Sequence, residues 1–141
     1  MSDLIKAKEI LYSGEYTCVI IKGEQTYTSV SRGVKPLVKW YADGVDLTGF
    51  SAADKVVGKA TAFLYALLGV KEVFAKVMSV TAKSVLEEQG IKAQYESLVP
   101  NIINRQGDGI CPFEEAVLSA ENKNEAYEII RNKMQEMGIS L

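Results

Sequence analysis

Hydrophobic and polar positions alternate between helical and extended periods along the chain, and glycines close most of the blocks. Leu4, Ile10 and Leu11 form an apolar stripe that predicts a helix from about Asp3 to Ser13. Asp3 is its expected cap and Gly14 its stop. Tyr16 to Ile21 is β-rich, Lys22-Gly23-Glu24 reads as a turn, and Thr26 to Val30 alternates like a strand. These predict a hairpin. Val34, Leu37, Val38 and Tyr41 give a short helix from Val34 to Asp43.

The most apolar helix is expected over Ala52 to Leu68. Its face carries Val56, Val57, Ala60, Phe63, Leu64, Leu67 and Leu68, and Gly69 closes it. Val73 to Met78 reads as a strand, Ser79 as the cap of a helix to Gln89, and Ala93 to Ser97 as a further strand. Pro100 to Gly109 is irregular. Cys111-Pro112 opens a helix to about Ala120, since proline suits the first helical position. Asn122 and Glu125 have capping-box spacing for a last helix to Met137. Helices alternate with strands after an initial hairpin. The order predicts an α/β fold: a three-layer α/β/α sandwich with a mixed sheet and right-handed crossovers.

Composition narrows the picture. The 141 residues fit one domain, 1–141, and a chain of this size buries a core without disulfide or metal. Hydrophobic residues make up 48% and charged residues 24%, which excludes disorder as the main state. A net charge of -2 argues against nucleic acid or an anionic membrane as a partner. No basic segment followed by an apolar stretch opens the chain, and no run approaches membrane-spanning length. The expected location is cytoplasmic. There is no histidine, so imidazole bases, catalytic triads and histidine-ligated zinc are excluded. Cys18 and Cys111 are too few for a thiolate site, so neither a metal nor another cofactor is expected.

Some segments carry more polar chemistry than packing requires. In Ser51–Ala60, Asp54 either caps the helix start or serves a site. Lys55 and Lys59 at i, i+4 share a helical face, where like charges cost about 0.2–0.5 kcal/mol. Gly58 between them costs about 1 kcal/mol against alanine in a helix interior. Close packing explains such a glycine, and so does close approach of a ligand. In Asn104–Glu115, a glycine-containing loop feeds a helix start, where Arg105 can clamp an anion. Cys111 stands at the expected cap, which favours a thiolate, while Glu114 and Glu115 oppose one. Cys111 is therefore a nucleophile or a small core residue. A weaker signal is Ser29–Pro36, where two hydroxyls, Arg32 and Gly33 precede a helix.

The segments Ala53–Ala60, Val99–Arg105 and Gly109–Glu114, with Arg32–Leu37, resemble a small bacterial and archaeal family catalogued as domain of unknown function 1893. The resemblance spans roughly residues 10 to 120. It implies a cytidine deaminase-like fold. Zinc deaminases carry a histidine or cysteine two residues before a glutamate at one helix start, and a proline-cysteine-x-x-cysteine motif at the next. By position these fall near Asp54-Lys55-Val56 and Ser79-Val80-Thr81-Ala82, where every zinc ligand is missing. A zinc-dependent deaminase is therefore not expected.

Two readings remain open. In one, a metal-free deaminase-like pocket binds a small anionic, nucleotide-like ligand. Lys55, Lys59, Asn104, Arg105 and Glu114 are then the binding residues, and Cys111 and Asp54 the catalytic candidates. In the other, the protein is a non-catalytic binding or structural subunit that keeps the fold without a ligand site. Sheet edges and exposed aromatics are compatible with a homodimer under either reading.

Overall fold

The computed structural model describes all residues except Met1, Arg32 and Arg105. In chain order the elements are α1 (Asp3–Tyr12), β1 (Cys18–Lys22), β2 (Gln25–Ser29), α2 (Lys35–Ala42), β3 (Ser51–Val57), α3 (Lys59–Leu68), β4 (Glu72–Ser79), α4 (Val80–Glu88), β5 (Lys92–Val99), α5 (Pro112–Ala116) and α6 (Lys123–Glu136). The strands form one mixed sheet in the order β2-β1-β3-β4-β5. The hairpin strand β1 runs antiparallel to β2 and β3, while β3, β4 and β5 are mutually parallel. Helices α3 and α4 supply the long returns that parallel pairing needs.

The sheet buries both faces. On one, Leu4, Ala7 and Leu11 of α1 pack on Val19, Ile21, Ala53 and Phe74. On the other, residues of α2 to α6 close over Cys18, Ile20, Ala52, Val73 and Ala75. Helix α3 is the centre of that layer: eight of its ten residues are buried, including Tyr65 and Leu64 with no exposed surface. Such burial leaves no polar stripe, as expected of a helix surrounded by protein.

Several local expectations hold. Ser79 Oγ accepts from Ala82 N–H at 3.1 Å, and Asn122 Oδ1 from Glu125 N–H at 2.9 Å, capping α4 and α6. Gly69 ends α3 with φ of 88°, a backbone that side chains disfavour. At α1 the cap is Ser2, not Asp3: Ser2 Oγ accepts from Ile5 N–H, and Asp3 reaches across to Gly23 N–H.

One expectation fails. Ala52 to Leu68 is not a single helix; it is β3, Gly58, then α3. Ser51–Val57 lies in the sheet interior between β1 and β4, with most of its residues buried. A strand buried on both faces over most of its length loses its alternation, so Ala52, Ala53 and Val57, together with the exposed Val56, mimic a helical stripe. Asp54 is thus a strand residue, Gly58 is the N-cap of α3, and Lys55 and Lys59 do not share a helical face. Helix α5 is also shorter than expected, ending at Ala116.

Candidate functional site

The carboxyl end of β3 and the neighbouring start of β1 open into a cavity of about 790 Å³, at an end of the sheet where sites commonly form in open α/β folds. Its wall combines Cys18, Asp54 to Val56 and Gly58 from the sheet with Ser31 and Gly33 to Leu37 from the loop into α2. Ile102 to Asn104 and Cys111 to Glu114 form another side, and Met134, Met137 and Ile139 a further one. All three polar segments of the sequence therefore meet here, the weak Ser29–Pro36 signal included.

Asp54 is the centre of the polar wall. Strand pairing sets it opposite Cys18 on β1. From α3, the wholly buried Tyr65 donates its hydroxyl to Asp54 Oδ2 at 2.6 Å. The same hydroxyl lies 3.2 Å from Cys18 Sγ. Asp54 Oδ1 has one long contact, accepting from Val56 N–H at 3.3 Å. Loss of water raises the Asp54 carboxyl pKa to about 6, against the hydrogen bonds from Tyr65 and the Val56 and Lys55 amides, which lower it. Burial first, then the neighbouring Asp54 charge, pushes the Cys18 thiol well above its ordinary value. Tyr65 is raised well above its ordinary value for the same two reasons. At neutral pH this arrangement holds one charge, on Asp54.

Glu114 is the second carboxyl. It sits in the first turn of α5, 7% exposed, and its Oε2 accepts from Ala60 N–H at 3.0 Å. It thereby satisfies a free amide at the start of α3, which has no side-chain cap of its own. Burial raises its pKa, while the Ala60 and Lys59 amides, the Lys59 charge and the Ser79 hydroxyl pull it back. Ser79 is itself the cap of α4, so the Glu114 carboxylate caps α3 and stands near the start of α4. Gly58 makes room for it. A Cβ there would collide with the Glu114 carboxylate, and because the φ of -101° is ordinary, the glycine is required by space.

Cys111 is half-buried, borders the cavity and caps α5 through its carbonyl, which accepts from Glu115 N–H at 3.0 Å, while its own N–H donates to Ile102 O at 2.9 Å. Asn104 also borders the cavity. Its side chain is occupied in its own loop, bonding Asp108 Oδ1 and the Gly107 amide, each at 2.9 Å. Lys55 borders the cavity. Lys59 does not; its Nζ donates to Leu118 O at 3.0 Å. Arg105 lies outside the described residues. Lys35 and Phe113 lie within the Ser29–Pro36 and Asn104–Glu115 segments, whereas Tyr65, Met134 and Met137 carry no sequence signal for this site. Tyr65 sits in a helix read as pure core, and only the non-local pairing with β3 reveals its role.

Among the described residues, no three acidic, cysteine or histidine side chains cluster to hold an ion. At the starts of α3 and α4 stand Gly58-Lys59-Ala60 and Ser79-Val80-Thr81, and the space between them holds the Glu114 carboxylate.

The family described as Domain of unknown function (DUF1893) matches residues 6–134. A solved structure of a DUF1893 family protein from Thermotoga maritima is similar, with 28% identity and a TM-score of 0.86. The match covers 94% of this chain and 91% of that one. No curated protein matches the chain.

Proposed function

The chain belongs to the domain of unknown function 1893 family, and we propose that it binds a small anionic, nucleotide-like ligand in the cavity at the carboxyl end of β3 and the start of β1. One observation carries this reading: three polar segments distant in sequence converge on a single cavity bordered by two carboxyls with raised pKa values, Asp54 partly buried and Glu114 buried. Such groups gather at functional sites, because desolvating them costs stability.

The lining supports a division of labour. Asp54 Oδ1 has acceptor capacity to spare and faces a ligand N–H or O–H. Val34, Ile102 and Phe113 offer apolar contact to a flat ring. Lys35 and Lys55 border the cavity and suit the anionic end. The Asp54 pKa of about 6 suits proton transfer near neutral pH. Cys111 is the candidate nucleophile, with Asp54 or Glu114 as its acid/base partner.

The reading includes a deaminase-like sandwich without zinc. The hairpin followed by parallel, helix-linked strands supports it. So does the approach of the α3 and α4 starts, where a deaminase would carry its zinc ligands and this chain carries Glu114. The donors at these helix starts do not fit a zinc ion.

A structural subunit without a ligand site is the second reading. It is favoured by the absence, among the described residues, of any buried side-chain polar atom lacking a partner. A thermal-shift panel of nucleotides, sugar phosphates and amino acids separates the two. Ligand binding predicts a rise in Tm with at least one compound, abolished in Asp54→Asn; a flat response across the panel supports the subunit.

A further inference from the structure

We propose that the outer edge of β5 is an interface between two copies of this chain, paired antiparallel across a two-fold axis at Gln94. Strand β5 ends the sheet and, among the described residues, bonds only β4. It is eight residues long, has no proline, and none of its residues is buried. Tyr95 and Leu98 are 38% and 39% exposed. An open edge of this length without proline can accept a further strand, and its charges Lys92 and Glu96 then decide which one. The opposite edge, β2, is five residues long and carries no charge.

The backbone restricts how a second copy can dock. Lys92 N–H donates to Lys71 O at 3.2 Å, on the β4 side. Alternation then directs the main-chain groups of Gln94, Glu96 and Leu98 towards β4 as well, and those of Ala93, Tyr95, Ser97 and Val99 outwards. A two-fold antiparallel pair must match outward residues with outward residues.

Charge selects among the registers centred in mid-strand. An axis at Glu96 sets two carboxylates opposite each other. An axis at Tyr95 sets Glu96 opposite Gln94, and Lys92 opposite Leu98. An axis at Gln94 sets Lys92 opposite Glu96 twice, with Tyr95 across from Ala93. Opposite charges directly across a strand pair are favourable and like charges are not. The Glu96 carboxylate is already held on the α1 face of the sheet, where Tyr12 Oη donates to it at 3.1 Å. The strand thus complements itself, and this points to a second copy and not to an unrelated chain.

Sedimentation equilibrium of the full chain tests the proposal, with circular dichroism to verify folding of each variant. The wild type is expected to dimerise. Lys92→Glu and Glu96→Lys should each weaken the dimer by about tenfold or more. The double exchange should restore it. Independently, Gln94→Cys should form a covalent dimer on mild oxidation, because facing Cα atoms at a non-hydrogen-bonded site lie about 4.5 Å apart, within disulfide reach. A monomer at all concentrations, a dimer indifferent to the single exchanges, or a double exchange no better than either single would each overturn it.

Discussion

The Tyr65 hydroxyl donates to Asp54 Oδ2 at 2.6 Å, joining the central helix to the central strand at the wall of the cavity. The bond does two things at once. It satisfies a phenol that has no access to water, and it favours the ionised form of a carboxyl that burial pushes the other way. Replacing Tyr65 by Phe removes only the hydroxyl. The Asp54 pKa should then rise above its value of about 6, and stability should fall by about 1–3 kcal/mol as a buried acceptor loses its donor. Carboxyl-carbon NMR titration and urea denaturation measure the two effects. An unchanged Asp54 titration would remove Tyr65 from the site.

Asp54 also sets a pH dependence whose sign is fixed. Its folded pKa of about 6 exceeds the ordinary 3.8, so folded protein binds the proton more tightly than unfolded chain. The resulting stability is complete below about pH 4 and is lost as pH rises through about 6. The loss amounts to about 3 kcal/mol, from two pKa units at about 1.4 kcal/mol each. Asp54→Asn keeps an acceptor for Tyr65 and has no charge to desolvate. It should be more stable than wild type at pH 8 and nearly equal at pH 4. Denaturation at both values checks this; equal stability at pH 8 would contradict a desolvated carboxylate.

Gly58 and Glu114 are coupled by space. Gly58→Ala drives a methyl group into the Glu114 carboxylate and should cost about 1–3 kcal/mol. Glu114→Ala alone should also destabilise, by about 1–3 kcal/mol, through the lost bond to Ala60 N–H. In the double variant the collision is gone, so the combined loss should be clearly smaller than the sum. Strict additivity in a double-mutant cycle would count against the contact.

The two cysteines should behave differently towards a thiol reagent. Cys18 is buried against Tyr65, whereas Cys111 is half-buried at the cavity. In native protein Cys111 should react and Cys18 should not; in denaturant both should. A bound ligand should slow the native reaction. Mass spectrometry of the labelled peptides reads the outcome.

Much of this was legible in local chemistry. The caps Ser79 and Asn122 and the stop at Gly69 are decided within a few residues of chain, and the hairpin by its turn. Strand β3 was not, because Ala52, Ala53, Val56 and Val57 fit a helical stripe until β1 and β4 supply their hydrogen bonds. For the same reason Gly58 was noticed for the wrong cause. It is an N-cap emptied for Glu114, 56 positions further along the chain, and no local pattern encodes that contact. Asp54, Cys111 and Glu114 were singled out by residue type and do share one cavity, whereas Lys59 turns away to Leu118. Tyr65 was hidden among apolar neighbours, and its hydroxyl gains a meaning only from the strand beneath it.

Binding of a small anionic ligand in the cavity around Asp54 is open to direct measurement. Amide chemical-shift mapping tests it most directly, with nucleoside monophosphates, sugar phosphates and inorganic phosphate titrated into labelled protein at pH 7. Saturable shifts are expected from at least one of the organic phosphates. They should cluster at Gly33–Leu37, Asp54–Ala60 and Ile102–Glu114, and vanish in Asp54→Asn. No saturable shift from any of these compounds, or shifts clustered away from those segments, would contradict it.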